Sequence, residues 1–226
     1  MVRVARGDAE HYKSFDYDYF QLKQHNDAAE VRLLYNDPEE IQYDAVHKVV
    51  IDPTTKKEKW VDCLRTHTDP VDMCPLCQSG MPVQLRLFLQ LFVINKLVGA
   101  DVLPVNRPAI FERGKGYGDV VSTGIRRAKL PLVANIFEIV RSGAANSKET
   151  TYPLTLLPAD KPDTTTLEDC GEPVEREKLI LVKTADEMNF YLQHGYFENN
   201  DAEQGAGSQP PVQRRMSANR QAPSSY

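Results

Sequence analysis

The sequence predicts a mainly β protein, built as a small antiparallel barrel or sandwich with few short helices. Short runs rich in β-branched and aromatic residues recur along the chain, turn-forming residues separate them, and only two stretches have a helical pattern. At 226 residues, the chain favours one domain with appendages. No apolar stretch approaches the length needed to span a membrane, so we expect no membrane contact.

Seven runs have the composition of β-strands. They cover residues 30–35, 45–51, 59–64, 85–94, 109–112, 135–140 and 150–156. Pro, Gly, Asn and Asp mark turns between several of them, at residues 36–38, 52–53, 80–82 and 141–143. Many short strands divided by such turns are typical of a small barrel or sandwich.

Two segments are predicted to be helical. The first begins within residues 116–119 and ends before Pro131. The second covers residues 184–195, where Thr184 is the expected N-cap and Glu187 its capping-box partner. We interpret this second segment as a helix that docks at the edge of the domain.

Three cysteines and a histidine form the most specific pattern in the chain. His47, Cys63, Cys74 and Cys77 have the spacing H-x15-C-x10-C-x2-C, which supplies a complete tetrahedral ligand set for one structural Zn²⁺ ion. The start of the chain lacks an apolar signal region, so we expect a cytoplasmic protein with reduced thiols. The distant Cys170 makes a disulfide framework a poor alternative. A reduced pair packed as small apolar side chains is the other interpretation.

The histidine ligand has two candidates. His67 lies between Cys63 and Cys74, and a local ligand costs less loop-closure entropy. However, His67 occupies a polar turn in which a solvated histidine is ordinary, whereas His47 lies in a β-branched run that can fix its ring. The residues alone leave both candidates open.

Charge is distributed unevenly along the chain. The formal net charge is −5, which is unusual for a protein that binds nucleic acid. Residues 82–141 nevertheless contain nine basic and four acidic side chains, whereas residues 160–203 contain four basic and twelve acidic ones. A positive segment is therefore followed by a negative one.

Aromatic residues alternate with the basic ones in the positive segment. Single-stranded nucleic acid needs this mixture, because cations follow the phosphates while aromatic faces stack on unpaired bases, at roughly 1–3 kcal/mol per base. Core packing is the alternative for each aromatic side chain, although Tyr117 in its Gly-rich loop is expected to be exposed. The candidate contacts are Trp60, Arg86, Phe88, Phe111, Arg113, Lys115, Tyr117, Arg126, Arg127 and Lys129.

An enzymatic role fits the sequence poorly. Zinc deaminases have an H-x-E motif followed by P-C-x2-C, with the glutamate moving protons. Here Asp69 replaces the glutamate and Met73 replaces the proline, and only six residues separate His67 from Cys74. Three thiolates and one imidazole also leave no open coordination position. We therefore expect no catalysis and no small-molecule substrate.

Several stretches together resemble a known family. The chain is similar to the zinc-containing single-stranded DNA-binding proteins of tailed phages over about residues 19–158. The matching stretches are Tyr19-Phe20-Gln21-Leu22-Lys23, Glu30-Val31-Arg32-Leu33-Leu34, Val46-His47-Lys48-Val49, Val61-Asp62-Cys63-Leu64-Arg65, Asp69-Pro70-Val71-Asp72-Met73-Cys74-Pro75-Leu76-Cys77, Phe111-Glu112-Arg113-Gly114-Lys115 and Phe137-Glu138-Ile139-Val140-Arg141-Ser142-Gly143.

The resemblance implies an OB-fold barrel with a zinc-binding insertion. It also implies His47 as the ligand, because the family's histidine precedes the first cysteine. The expected organisation is an N-terminal arm at 1–18, an OB-fold core at 19–160 with the zinc subdomain at about 44–82, an acidic segment with the docking helix at 161–197, and a disordered tail at 198–226.

The resemblance further implies a function. We expect a protein that coats single-stranded DNA in phage replication or recombination, in the host cytoplasm, without reading sequence. Many single-stranded DNA-binding proteins end in an acidic, flexible tail that recruits replication enzymes and competes with DNA for the basic groove. Here the acidic stretch is internal, and we expect residues 168–203 to compete with DNA and to recruit replication or recombination proteins. Deleting residues 160–226 would then raise DNA affinity at low salt. The alternative is a zinc-ribbon module for protein interaction or transcription, without preference for single strands.

Overall fold

The protein is mainly β in a computed structural model that describes residues 18–52, 54–144, 147, 149–158, 163–171 and 173–197. The strands are β1 (Asp18–Tyr19), β2 (Ala28–Leu33), β3 (Tyr43–Asp52), β4 (Lys57–Asp62), β5 (Gln84–Val98), β6 (Asp101–Gly114), β7 (Phe137–Val140) and β8 (Leu154–Leu156). The α-helices are α1 (Pro75–Gln78), α2 (Tyr117–Ile125), α3 (Leu167–Cys170), α4 (Arg176–Leu179) and α5 (Ala185–His194). The predicted tail, and all but the last residue of the predicted arm, lie outside the described residues.

All eight strands belong to one mixed sheet. Its main path has the order β1-β6-β5-β2-β7-β8, and the β3–β4 hairpin branches from β5. The β1–β6 pair is parallel and the other pairs are antiparallel. The expected closed OB barrel is not found, because the end strands β1 and β8 do not pair with each other in the described part of the chain. The sheet is open.

Strand β5 connects the two halves of the sheet. Its first residues pair with β3, from Tyr43↔Leu87 to Val46↔Gln84. Its later residues pair with β2 on the same edge, while β6 follows it along the other edge. One long strand therefore carries both the main sheet and the hairpin that holds part of the predicted metal site.

The two largest of four apolar clusters in the described chain lie on this framework. The larger one combines side chains of β2, β5, β6, β7 and α2, including Leu33, Leu89 and Phe137. The smaller one surrounds Cys74 and Cys77 and includes Val49 and Val61 from the hairpin. We call residues 43–82, which comprise β3, β4 and α1, the metal lobe.

Both predicted helices are present. Helix α2 covers Tyr117–Ile125, and Val121 from it is buried in the larger core. Helix α5 covers Ala185–His194, and the predicted capping box between Thr184 and Glu187 is formed. Gly195 follows in the left-handed conformation (φ 77°), which is the usual C-terminal stop. The capping pattern therefore predicted α5 correctly.

The acidic segment packs on the core along much of its length. We call residues 163–197 the strap. Ile180 and Met188 are buried, and Leu181 forms a parallel bridge with Val61 of β4. Arg32 and Asp163 form an ion pair of 2.6 Å between the sheet and the start of the strap. A deletion from residue 160 would therefore remove core side chains as well as negative charge.

None of the described helices is long and apolar enough to cross a membrane.

Candidate metal centre and adjoining cleft

The four predicted ligands meet in the metal lobe. His47 lies on β3, Cys63 follows β4, Cys74 is the N-cap of α1 and Cys77 lies within that helix. Pro75 occupies the first turn of α1, where a missing N–H costs nothing. The Gln78 N–H donates to the Cys74 carbonyl at 3.0 Å, and this turn brings both thiols of the C-x2-C motif to one side.

The spacing of the ligand atoms fits a tetrahedral ion. The four ligand atoms all lie within 4.8 Å of one another. His47 Nε2 is 3.6 Å from Cys74 Sγ and 3.5 Å from Cys77 Sγ, and Cys63 Sγ is 3.6 Å from Cys77 Sγ. Metal bonds of ~2.3 Å to sulfur and ~2.0 Å to nitrogen place tetrahedral ligands about 3.5–3.8 Å apart. The residues can therefore hold one metal ion.

The structure distinguishes the two histidine candidates. His47 is fully buried in the cluster, and burial lowers its pKa, which favours the neutral ring that a metal requires. His67 is exposed and does not belong to the cluster. The strand context and the family resemblance both indicated the histidine that lies in the cluster, although spacing slightly favoured the other.

The thiols differ in their surroundings. Burial raises the pKa of Cys63 to about 12, so its thiolate depends on a nearby cation. Burial also acts to raise the pKa of Cys74, but backbone N–H groups, beginning with that of Cys77, outweigh it and lower the pKa. Arg65 Nε donates to Cys77 Sγ at 3.2 Å. This guanidinium offsets part of the negative charge that three thiolates would carry.

The strap completes the metal lobe from outside it. Met188 of α5 is fully buried, and its Sδ lies 3.9 Å from Cys74 Sγ. The Tyr191 hydroxyl accepts a hydrogen bond of 3.2 Å from the Val50 N–H. The sequence predicted a docking helix here, and the structure shows that it docks against the metal ligands.

The hairpin presents a second functional face. Successive strand residues point to opposite sides, so His47 and Val49 face the cluster of candidate ligands while Lys48 faces away from it. Lys48 pairs across the hairpin with Trp60, whose neighbour Val61 returns to the metal side. Lys48 and Trp60 therefore line the surface behind the metal centre.

That surface is a cleft of about 930 Å³. Strands of the hairpin, the start of the described chain and the strap all contribute to it. Its charged and aromatic lining consists of Tyr19, Phe20, Lys48, Lys57, Glu58, Lys59, Trp60, Arg86, Glu112, Arg113, Arg141, Tyr152 and Lys178. Seven of these side chains are cationic and two are acidic.

Three of the predicted nucleic-acid contacts line the cleft, namely Trp60, Arg86 and Arg113. Lys115, Arg126, Arg127 and Lys129 are exposed but belong to the loop before α2, or to its end and beyond, and do not line the cleft. Sequence reasoning missed Lys48, Lys57, Lys59, Arg141 and Lys178, together with Tyr19 and Tyr152. Alternation along β3 and β4 was the available signal, because it places Lys48 and Trp60 opposite the metal ligand.

The remaining predicted aromatic contacts are buried. Phe88 is 5 % exposed, and Phe111 is 1 % exposed with its ring packed edge-on against Phe20 and Tyr117. The expectation that Tyr117 is exposed is wrong, because its ring is part of the larger core. Burial also raises its pKa. None of these three rings offers an accessible face to a base.

No protein-family model matches the chain, and no curated protein does.

Proposed function

We propose that this protein binds single-stranded DNA in the cleft without reading its sequence, and that a structural zinc ion supports the cleft from behind. The observation that carries the proposal is the meeting of cations and partly exposed aromatic rings in one open cleft. This combination suits a single strand, because the cations contact its phosphates while the aromatic rings stack on its unpaired bases. Coating of strands during phage replication or recombination is the corresponding biological role.

The charge of the cleft supports the proposal. Glu58 is paired with Lys48, and Glu112 with Arg86 at 2.5 Å, so both acidic side chains are already compensated. The lining therefore has an excess of positive charge, although the whole chain is negative. Phosphate neutralisation in such a cleft makes binding strongly dependent on salt.

The aromatic side chains stand next to the cations. The Arg86 guanidinium is 4.8 Å and the Lys48 ammonium 5.8 Å from the centre of the Trp60 ring. Tyr19 is 43 % exposed at the other wall. A base stacked at Trp60 would thus have its phosphates beside positive charge. Duplex DNA keeps its bases paired and gains nothing from these rings.

Zinc is the metal that this donor set suits best. Three thiolates and one imidazole in tetrahedral spacing favour zinc among the common divalent ions, and four protein ligands close the site. The ion would cross-link the hairpin, the loop after β4 and α1. Its role is structural: it fixes the hairpin whose other face carries Lys48 and Trp60.

Fluorescence anisotropy with labelled oligo-dT tests the proposal. We expect tight binding at low salt, at least tenfold weaker binding to a duplex of equal length, and a steep decrease in affinity with salt. Equal affinity for strand and duplex, or no binding to either, would contradict it. The latter result would favour the zinc-ribbon interaction module instead.

Two double variants with the same change of charge locate the binding surface. Lys57→Gln/Lys59→Gln removes two cations from the cleft, and Arg126→Gln/Arg127→Gln removes two exposed cations outside it. We expect the first to reduce both the affinity for oligo-dT and its salt slope, and the second to change them much less. Equal losses would show that binding follows overall charge and not the cleft.

A further inference from the structure

Two arginines mark the place where the cleft meets a second cavity. This neighbouring cavity measures about 510 Å³, and Arg113, Arg141 and Tyr152 line both spaces. Tyr152 contacts both guanidinium groups: Arg113 Cζ is 3.8 Å and Arg141 Cζ 5.7 Å from its ring centre. The junction therefore holds two cations around one aromatic ring.

Arg113 packs against aromatic rings and has no carboxylate partner among the described residues. Its Cζ is 4.0 Å from the centre of the Phe111 ring, in addition to its contact with Tyr152, and these two rings also pack edge-on against each other. Its Nε is buried and has no hydrogen-bond acceptor among the described residues. Burial lowers its pKa, which shows that the charged form is poorly solvated there.

Arg141 is buried more deeply, at 8 % exposure. Its hydrogen bonds all go to neutral acceptors: the Tyr152 hydroxyl at 2.5 Å, the Leu22 and Ala144 carbonyls at 3.4 and 3.0 Å, and Thr150 Oγ1 at 3.3 Å. Its Nε is also buried without a described acceptor. These contacts fix the guanidinium but leave its charge uncompensated.

Four other arginines are paired with carboxylates. Arg32, Arg86, Arg107 and Arg176 each make an ion pair with an aspartate or glutamate. Neither Arg113 nor Arg141 makes one within the described part of the chain. Burying a charge is costly unless an opposite charge accompanies it. Two such cations at the wall of one cavity indicate a site for an anion that the chain itself does not provide.

We propose that Arg113 and Arg141 form a phosphate subsite at the junction of the two cavities. The planar guanidinium fork of Arg113 suits the oxygen atoms of a phosphate, and the hydrogen bonds of Arg141 hold the second cation in place. Only the source of the phosphate rests on the proposed function: in a DNA-binding protein it is one phosphodiester of the strand, which would be anchored here. Free phosphate is the other source of the same chemistry.

The first test uses inorganic phosphate as the probe and the full chain. Thermal unfolding is measured in phosphate and in chloride at equal ionic strength, for the wild type, Arg113→Gln and Arg107→Gln. Arg107 is an exposed arginine outside both cavities and provides the control. We expect phosphate to raise the Tm of the wild type and of Arg107→Gln but not of Arg113→Gln. Equal protection of all three would overturn the subsite.

If Arg113→Gln does not fold, Arg113→Lys carries the test, because it retains the charge and loses the planar fork. A phosphate affinity at least threefold weaker than that of the wild type supports the subsite, and an unchanged affinity overturns it. Circular dichroism establishes which variant is folded before either comparison is made.

The second test uses oligo-dT. We expect Arg113→Gln to bind at least tenfold more weakly than Arg107→Gln, with the salt slope reduced by about 0.7, the share of one phosphate contact on a single strand. If the wild type binds oligo-dT and the two variants do not differ, the subsite is wrong and the proposed function stands. If oligo-dT does not bind but phosphate protection requires Arg113, the proposed function is wrong and the subsite stands.

Discussion

The larger core and the metal lobe are stabilised by different interactions. The larger core combines eighteen buried residues from strands far apart in sequence, so apolar burial alone can stabilise it. The core of the metal lobe has six, and two of these are the ligands Cys74 and Cys77. A core this small needs a cross-link, and a metal ion held by the ligand cluster would supply one. The comparison predicts that loss of metal and loss of apolar contacts affect different parts of the molecule.

The largest effect is expected from removing a ligand. Cys74→Ala should abolish stoichiometric metal binding and unfold the metal lobe, because structural zinc sites contribute on the order of 10 kcal/mol to folding. Metal analysis measures the first effect, and hydrogen exchange over residues 43–82 measures the second. Exchange in the larger core should change much less.

Cys170→Ala is the matched control for this prediction. Cys170 is also a buried thiol, but it lies in a separate cluster with Leu34 and Val133. This variant should retain one equivalent of metal. Likewise, His67→Ala should retain the metal and His47→Ala should lose it. A Cys74→Ala protein with a full equivalent of metal would refute the ligand assignment.

Apolar truncations should have the next largest effect. Leu89→Ala in the larger core should cost about 2–5 kcal/mol in the free energy of unfolding and leave metal affinity unchanged. Met188→Ala in the strap should have a similar cost but also weaken metal binding, because Met188 packs against Cys74. Leu192→Ala on the exposed side of α5 should cost less than about 0.5 kcal/mol. Unchanged metal affinity in Met188→Ala would show that packing of the strap does not contribute to metal binding.

Metal removal should weaken DNA binding by a smaller amount. A chelator should reduce the affinity for oligo-dT at least tenfold, which corresponds to about 1.4 kcal/mol, because the hairpin that carries Lys48 and Trp60 loses its support. Anisotropy before and after restoration of zinc measures this change. The phosphate subsite lies on other strands, so protection by inorganic phosphate should persist in the metal-free protein. Loss of both together would mean that the two regions are not independent.

The smallest effect concerns pH. Burial keeps the pKa of His47 below its ordinary value, so below about pH 6.5 the unfolded chain takes up a proton that the folded chain excludes. In the protein with its metal lobe folded, the contribution of His47 to stability should therefore be complete above that pH and fall below it, by at most about 1.4 kcal/mol per pH unit for this group. Denaturant titrations between pH 5 and 8 measure the slope. A slope that persists in His47→Ala would assign it to another group.

The sequence predicted most elements of the fold because their signals are local. The seven predicted strands and both helices exist, and the capping box of Thr184 and Glu187 fixed the start of α5 correctly. The two-residue β1 was missed because its pairing with β6 is non-local. The closed barrel was predicted but not found, and the reason is again non-local: whether a sheet closes depends on whether its two end strands meet.

The meeting of the four candidate ligands could be predicted from the sequence, and the lining of the cleft could not. Few residue types bind zinc, so the spacing of the His and Cys residues was already informative. The strand around His47 then favoured this residue over His67 as the fourth ligand. Basic and aromatic residues occur in many structural roles, so their presence in the sequence does not show where they lie. Tyr117 and Phe111 are buried in the larger core, whereas Lys57 and Tyr152 line the cleft. Which face a side chain occupies depends on packing partners from other strands.

The alternation along β3 also constrains how this chain can change over generations. His47 and Lys48 are adjacent in sequence but belong to opposite faces of the hairpin. Inserting or deleting one codon before His47 within this strand would move each following side chain to the opposite face. His47 would then point into the cleft and Lys48 into the metal lobe. Changes of two codons would preserve both faces. We therefore expect length variation among relatives to fall between β3 and β4, at the turn of residues 54–56, and within β3 to occur in even steps.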